Sequence, residues 1–325
     1  MKIVLSRKGF DGTNGGIPSP IFQREDGTLG IYSLPIPLEE ATCAYSDIRW
    51  NGGNLRDLIA SLRRRRRKVL PDKPPHLDPD LVCDALPNRH RDWRPIFGQS
   101  NGPETLLRNM GVTDPTENNG LRPLFLFFGW YREITERGGT YSYVRRAPDT
   151  HRRAPDIHAF FGWLQVAQKI NLAGRADREE IQRKMPWAAS HPHVACPFCD
   201  GQPNAIYIAP ELDSDDDHLI LDGHDTGLPA SGMFRNFDRE IHTLTIEGQP
   251  RTNWRLPSWF WRAGEPTLGM NTNRLRWHPI EGHPDCVRLE SVDIGQEFVF
   301  DSLDHDRDQV RAWVTKIIKA GQGRL

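Results

Sequence analysis

A short segment of the sequence, HLDPDL, places a histidine and two aspartates at every second residue. In an extended chain this spacing puts the three side chains on one side of the backbone. An imidazole beside two carboxylates can bind a divalent cation, or act as a general base with an orienting group. The alternative is a solvated loop in which the aspartates cap turns around a proline. Two further loop aspartates complete the predicted catalytic set, which is Asp11, Asp47, His76, Asp78 and Asp80. The members of this set that are predicted as metal ligands are His76, Asp78 and Asp80.

The loop SRKGFDGTNGGIPSPI, residues 6–21, has a composition that suits a phosphate group. Its glycines allow backbone amides to approach a ligand closely, while its basic residues and hydroxyls supply charge and hydrogen bonds. It is not a P-loop, because the Gly-Lys-Ser/Thr ending is missing. The alternative is an ordinary connection between strands. The residues of this loop predicted to bind a nucleotide are Arg7, Lys8, Gly15, Gly16 and Ser19.

The segment HPHVACPFC, residues 191–199, offers two histidines and two cysteines as zinc ligands. Only one C-x-x-C pair is present and the run is too compact to close a tetrahedral site easily, so two reduced thiols are the alternative. The chain has 5 cysteines, an odd and sparse set that does not predict a disulfide framework. We predict that Cys196 and Cys199 are not part of the active site.

Two apolar runs are expected to form the core of a sheet. LFLFFGWY at 124–131 and HAFFGWLQV at 158–166 are apolar on both faces, which predicts neighbouring strands covered from both sides. Strands and helices do not alternate regularly, so we predict an α+β fold, a strand-rich single domain over residues 1–325 with a mixed central sheet and a few flanking helices. Further strands are predicted at residues 2–5, 29–37, 204–209, 218–221, 241–246 and 296–300. Helices are predicted around residues 55–68, 104–110 and 304–321, with a long loop at 71–95.

The overall composition excludes few kinds of function. The 325 residues carry a formal net charge of -1, so any basic surface for nucleic acid must be local. The N-terminal apolar run is interrupted at once by polar residues, and no stretch approaches the length of a membrane span. The sequence therefore predicts a cytoplasmic protein without a membrane partner.

Several short motifs, in their order along the chain, resemble those of one protein family. They are SRKGFD with GGIPSPI, YSLPIP, YSDI, HLDPDL, WRPIFGQ, LFLFFGWYRE, HAFFGWLQV, HPH, NAIYIA, NWRLPSWF and GQEFVF. This set resembles the nucleotide modification associated domain 3 (Nmad3) proteins of bacteria and phages. The resemblance implies a role in the synthesis or processing of modified bases, with a nucleotide or DNA and other nucleotide-modification proteins as partners. It brings no established reaction. The cysteines after HPH are outside it, and the stretch 113–123 is longer than the family pattern.

Two classes of function follow from these observations. The first is an enzyme that acts on a nucleotide or a base in DNA through the predicted catalytic and phosphate-binding residues, with a divalent metal as the potential cofactor. The second is a non-catalytic reader that holds a flipped base in a pocket lined by His158, Trp163 and Gln165. Of these, His158 and Gln165 are the predicted nucleotide-binding residues. A structural subunit of a modification or defence complex is a third interpretation.

Overall fold

The computed structural model describes residues 1–38, 43–63, 73–145, 154–172, 174–196, 200–261, 274–292 and 297–322. In the first half of the chain the strands are β1 (Lys2–Arg7), β2 (Ser19–Gln23), β3 (Leu29–Ile31), β4 (Ile36–Pro37), β5 (Arg49–Trp50), β6 (Gly53–Asn54), β7 (Pro75–His76), β8 (Ile96–Ser100), β9 (Leu124–Arg137), β10 (Thr140–Tyr143) and β11 (Ile157–Gln165). In the second half they are β12 (Gln168–Asn171), β13 (Asn204–Ile208), β14 (Ile220–Leu221), β15 (His224–Asp225), β16 (Ser231–Met233), β17 (Asn253–Pro257), β18 (Arg276–Pro279), β19 (Cys286–Glu290) and β20 (Glu297–Asp301). The α-helices are α1 (Leu55–Arg63), α2 (Asn101–Asn109), α3 (Arg175–Lys184), α4 (Pro192–Ala195), α5 (Arg239–His242) and α6 (Arg307–Gln322).

Strands β9 and β11 form the centre of the main sheet. They pair antiparallel, with Leu124 opposite Gln165 and Phe128 opposite Phe160. All nine residues of β11 and the first nine of β9 are buried. This burial on both faces explains why neither sequence alternates between apolar and polar residues. The prediction that these two segments are neighbouring buried strands of one sheet is confirmed.

The main sheet is mixed, as the sequence predicted. Its strand order is β16-β11-β9-β1-β20. Strand β1 runs parallel to β9, whereas β20 is antiparallel to β1 and β11 is antiparallel to β9. The far end of β9 pairs in parallel with β2 and antiparallel with β10. With its flanking helices, this sheet gives the predicted α+β fold.

A second sheet, β12-β13-β8, covers one face of the main sheet through aromatic side chains. Phe97 of β8 lies 4.9 Å from Phe125 and 5.1 Å from Phe127 between ring centroids. Tyr207 of β13 lies 4.9 Å from Phe125. Offset and edge-to-face pairs at these distances add to the stabilisation from apolar burial. This contact fixes β8 against β9, and β8 supplies the backbone of the site described below.

The opposite face of the main sheet is covered by a third sheet, β17-β19-β18, and by helix α6. Trp254 of β17 is fully buried, with its ring 4.9 Å from Phe128 and 5.4 Å from Phe298. Trp313 of α6 packs edge-on against Phe160 at 6.0 Å. Helix α6 was predicted from its apolar face, and the structure confirms it.

Several predicted elements differ from the structure. The strand predicted at 241–246 is wrong at its start, where α5 (Arg239–His242) forms instead. Asp238 caps this short helix by accepting hydrogen bonds from two backbone amides. This N-cap was overlooked because the β-branched residues that follow it favour a strand. The strand predicted at 29–37 is split into β3 and β4. The polar helix α3 was not predicted, because Ile181 is its one large buried apolar residue. Residues 64–68 of the first predicted helix lie outside the described residues.

None of the described helices has the length and apolar composition that crossing a bilayer requires.

The aromatic contact between the two sheets leads to a stability prediction. Phe127 is fully buried against Phe97, Phe125 and Phe161. Replacing it with alanine should lower the free energy of unfolding by about 3–5 kcal/mol, because a cavity replaces the ring. Denaturant unfolding followed by circular dichroism measures the change. Leu303→Ala, at a side chain that is 48% exposed, is the control and should change stability by about 0.5 kcal/mol or less. Equal midpoints for the two variants would contradict the packing described here.

Candidate metal centre

The HLDPDL segment is fixed at both ends, and this positions Asp78 between them. At its start, β7 pairs with β4, so that His76 lies opposite Ile36. At its end, Asp80 and Ile96 exchange two backbone hydrogen bonds of 2.9 Å. Between these points the amide of Gly98 donates to Asp78 Oδ1 at 2.7 Å. The Asp78 carboxylate therefore lies against the backbone of β8, where it is 9% exposed.

Two histidines direct ring nitrogens at this carboxylate. His76 Nε2 lies 3.9 Å and His193 Nε2 lies 3.7 Å from Asp78 Oδ2. The potential ligand atoms of these three residues all lie within 4.8 Å of one another. His193 belongs to α4, far along the chain from the HLDPDL segment. We call His76, Asp78 and His193 the histidine–aspartate cluster.

The orientation of His193 is set by Asn204 and by a glycine. Asn204 Nδ2 donates to the His193 carbonyl at 3.0 Å, which turns its Oδ1 towards His193 Nδ1 at 2.8 Å. His193 Nδ1 therefore carries the proton, and Nε2 presents a lone pair to the cluster. The imidazole lies over Gly98 so closely that a Cβ there would be 2.2 Å from a ring atom. A glycine is required at this position by the close approach of the ring.

A third histidine completes the surroundings of Asp78. His191 Nε2 lies 3.4 Å from Asp78 Oδ1, and the ring stacks on His193 with centroids 5.8 Å apart. The His191 residue is 4% exposed. Neither of its ring nitrogens makes a hydrogen bond within the part of the chain that the structure describes. Buried imidazoles usually have such partners, so His191 is a further potential ligand.

The protonation states in the cluster are those that metal binding requires. Burial lowers the pKa of His76 to about 3 and that of His193 to about 4. Burial acts to raise the pKa of Asp78, but contact with His191 and His193 and, to a smaller extent, the charge of Lys8 hold that pKa below its usual range. At neutral pH the cluster therefore consists of a carboxylate and neutral imidazoles. Ligands in these states bind a cation without first losing a proton.

The distances fit a divalent transition metal ion. Two ligand atoms that each lie about 2.1 Å from one ion are roughly 3.4 Å apart in tetrahedral geometry. The separations of 3.7 Å and 3.9 Å from Asp78 Oδ2 are slightly larger and need small side-chain rotations. Imidazole and carboxylate donors suit zinc, iron or manganese. Two histidines and one carboxylate leave coordination positions open for water or a substrate.

Lys8 and Glu297 form a buried ion pair next to the cluster. Lys8 Nζ lies 3.7 Å from Glu297 Oε1, and Gln99 Nε2 donates to the same oxygen at 2.6 Å. The Lys8 charge acts on all three members of the cluster and lowers the pKa of His76 and His193. Burial raises the pKa of Glu297 to about 7.

A narrow cavity of about 20 Å³ lies beside Asp78. Among its lining residues are Gly9, Tyr32, Ser33 and the segment 77–82. The N-terminal loop and the HLDPDL segment thus share one cavity, in which the Asp78 side chain is part of the wall.

The other predicted catalytic aspartates lie outside the cluster. Asp80 is two residues from Asp78, but both of its oxygens accept from Arg89 at 2.6 Å. Asp11 closes a turn by accepting from the amides of residues 13 and 14. Asp47 accepts from the amide of Ala44 at an exposed position. Of the predicted set, the structure brings together His76 and Asp78.

Among the loop residues predicted to bind a nucleotide, Lys8 is the one next to the cluster. Ser19 Oγ is buried and accepts from the Leu34 amide at 3.0 Å. The Gly15 carbonyl accepts a hydrogen bond from Arg63, and the Gly16 amide donates to the Asp11 carbonyl at 2.9 Å. Arg7 is half-buried at the end of β1, opposite Phe128. These contacts hold the loop in shape.

The two residues predicted to read a base are engaged in the interior. His158 Nδ1 accepts from Trp254 Nε1 at 3.1 Å on the face of the sheet that the third sheet covers. Gln165 donates to the Ile220 carbonyl at 2.6 Å and accepts from the Ile220 amide at 2.8 Å.

Cys196, the first cysteine after the HPH motif, is not a member of the cluster. Cys196 is disulfide-bonded, which corrects the expectation of reduced thiols at this residue. Cys199 lies outside the described residues. Among the described residues of HPHVACPFC, the two histidines lie against Asp78.

Four residues near the cluster were not identified by composition or spacing. Gly98 and Gln99 lie in FGQ, Asn204 begins NAIYIA, and Glu297 lies in GQEFVF. All four fall within the motifs that carry the family resemblance. The family motifs therefore contain all four residues, but a single sequence does not indicate which motif residues lie together in the fold.

Comparison with known proteins agrees with this reading of the motifs. The family model described as nucleotide modification associated domain 3 matches residues 2–301. No curated protein and no solved structure matches the chain.

The buried imidazoles make a prediction about pH. In the unfolded chain, His76 and His193 take up protons below their ordinary pKa of 6.5. In the folded protein they do so only near pH 3 and pH 4, respectively. Their contribution to stability is present above pH 6.5 and is lost as the pH falls towards those lower values. In metal-free protein, each of these two histidines should lower the free energy of unfolding by about 1 kcal/mol for every pH unit below 6.5.

Urea unfolding between pH 7 and pH 5 measures this slope. His76→Gln should reduce the slope relative to the parent protein, whereas His90→Gln, at a half-exposed side chain, should leave it unchanged. Identical slopes in His76→Gln and the parent would contradict a neutral buried His76.

Proposed function

Because this chain belongs to the nucleotide modification associated domain 3 family, we propose that it is a divalent-metal-dependent enzyme that modifies or processes a nucleotide or a base in DNA. The observation that carries the proposal is the histidine–aspartate cluster, in which a buried carboxylate is surrounded by neutral imidazoles. A buried carboxylate without a cation is costly. A metal ion is the cation that these ligands suit.

The ligands named by the proposal are His76, Asp78 and His193, with His191 as a fourth. Asn204 positions His193 and the Gly98 amide positions Asp78, as supporting hydrogen bonds commonly do around metal ions. A metal held here would polarise a bound oxygen and lower the pKa of a bound water. The reaction class is therefore metal-assisted attack on a nucleotide or base, or group transfer to it.

The cavity that Asp78 lines is the candidate approach for the substrate, and at about 20 Å³ it must widen before a base can enter. Its walls include Tyr32, Leu81 and Phe161, which offer apolar surface to a base. Gly9 lines the same cavity and is adjacent to Lys8. Of the cluster, Asp78 lines this cavity, and mainly apolar surface with few polar groups is typical of sites that orient a ligand.

The non-catalytic reader has less support. It needs the polar groups of His158 and Gln165 for base recognition, but these make hydrogen bonds inside the protein. Trp163 Nε1 likewise donates to the Pro229 carbonyl at 2.9 Å.

Metal content and turnover test the proposal together. Purified protein should contain stoichiometric zinc, iron or manganese by mass spectrometry, and Asp78→Asn or His193→Ala should lose it. Asparagine keeps the oxygen that accepts from Gly98, so the first variant removes charge with little change in shape. His90→Ala is the matched control and should retain the metal.

The metal-loaded protein should convert at least one member of a panel of deoxynucleotides and single- and double-stranded DNA, with products followed by mass spectrometry. Asp78→Asn should abolish that conversion. Metal binding that is unaffected by the cluster variants would overturn the proposal.

A glycine substitution tests the geometry without removing a ligand. Gly98→Ala places a Cβ against the His193 ring and must displace it. We expect metal affinity to fall by about tenfold to a hundredfold, as for loss of an orienting contact. Gly102→Ala is the control, because no atom lies within 4 Å of the added carbon. Calorimetric titration of metal-free protein measures both, and equal affinities would show that the His193 ring is not a ligand.

A further inference from the structure

Lys8 occupies an unusual position for an amine. It follows the last residue of β1, its side chain is 13% exposed, and its Nζ lies 4.5 Å from the centroid of the Phe97 ring. Burial of an ammonium group is unfavourable unless opposite charges and hydrogen bonds replace water. The opposite charge next to it is Glu297 Oε1, but the distance of 3.7 Å is longer than a hydrogen bond.

A second buried lysine shows what a satisfied pair looks like in this protein. Lys169 Nζ lies 2.9 Å from Glu104 Oε1 and donates to the Val112 carbonyl at 2.9 Å. The other Glu104 oxygen accepts from Tyr207 at 2.6 Å. By contrast, Glu297 Oε2 has no hydrogen-bond partner among the residues that the structure describes. The Lys169 pair makes its hydrogen bonds within the protein, whereas the Lys8 pair retains donor and acceptor capacity.

The charge around Lys8 becomes more positive once a metal is bound. A divalent ion in the histidine–aspartate cluster brings more charge than the Asp78 carboxylate can neutralise, and Lys8 adds to the excess. Asp80 cannot offset it, because Arg89 already neutralises that carboxylate. Glu297 offsets it in part, since burial favours its neutral form. A buried site with net positive charge requires an anion.

We propose that Lys8 and the metal ion together bind an oxyanion of the substrate or co-substrate, either a phosphate or a carboxylate group. The inference rests on the proposed metal centre and adds the class of ligand that the open metal positions accept. Lys8 donates hydrogen bonds to one oxygen of the group while a second oxygen coordinates the ion. Glu297, held by Gln99, keeps the amine in place as a positioning residue.

Cobalt-loaded protein allows a direct test, because the visible spectrum of the ion reports changes in its ligands. Inorganic phosphate and a deoxynucleoside monophosphate serve as phosphate probes, and 2-oxoglutarate serves as the carboxylate probe. We expect a saturable spectral change with one of these classes, and the class that binds identifies the source of the oxyanion. Lys8→Met should retain the cobalt spectrum of the unliganded protein and weaken oxyanion binding by roughly tenfold to a hundredfold.

Lys2 provides a matched control on the same strand. It also pairs with a carboxylate of β20, Asp301, at 2.9 Å, but at the opposite end of β1. Lys2→Met should leave oxyanion binding unchanged. If circular dichroism shows that Lys8→Met is poorly folded, Lys8→Arg replaces it in the test. Lys8→Arg keeps the positive charge and should retain part of the oxyanion affinity of the parent protein.

The outcomes separate the two proposals. Absence of a cobalt spectrum would overturn both the metal centre and the oxyanion site. A normal cobalt spectrum that no oxyanion alters, or that responds equally in Lys8→Met and Lys2→Met, would overturn the oxyanion site alone.

Discussion

The hydrogen bond from the Gly98 amide to Asp78 Oδ1 joins the two parts of the molecule on which the site depends. Asp78 comes from an irregular segment, whereas Gly98 lies in the middle of β8, a strand of the second sheet that Phe97 packs against the main sheet. This hydrogen bond ties the Asp78 carboxylate to β8 as well as to its own segment. The rigid strand therefore sets the position of the one negative charge around which the histidines gather.

The same glycine also determines what can face that charge. Gly98 lacks a side chain, so the His193 ring can lie directly over the strand, and Asn204 of the neighbouring β13 fixes its tautomer. Strands β8 and β13 are paired in register, with Gly98 opposite Ile206. The second sheet thus acts as the support of the cluster: one strand holds the carboxylate and the next orients the imidazole. Phe97 of this support also contacts Lys8, the residue that follows β1.

Much of the fold could be predicted because its signals are local. The two central strands are continuous apolar runs, and α6 has a clear apolar face. The strand expected at 241–246 was wrong because its β-branched residues favour a strand, whereas the local cap from Asp238 and the long-range hydrogen bond from His242 Nε2 to the Ile317 carbonyl stabilise a short helix. In the candidate site, His76 and Asp78 followed from alternate spacing. His193 was recognised as a potential ligand but assigned to the nearby cysteines, since sequence distance favours near neighbours over partners more than a hundred residues away.

Asp78 and Asp80 illustrate why residue type and spacing stop short of assigning a role. They are two residues apart in an extended segment and both are buried. Asp80 accepts two hydrogen bonds from the Arg89 guanidinium and a third, at 3.4 Å, from Trp93. These bonds use the acceptor capacity of Asp80 inside the protein. Asp78 receives one backbone amide and is otherwise faced by three imidazoles, of which burial keeps His76 and His193 neutral. A carboxylate paired with arginine stabilises the loop by itself. A carboxylate surrounded by nitrogen ligands keeps the capacity to bind a cation, and this difference in partners, which only the three-dimensional structure supplies, is what distinguishes Asp78 from Asp80 as a candidate metal ligand.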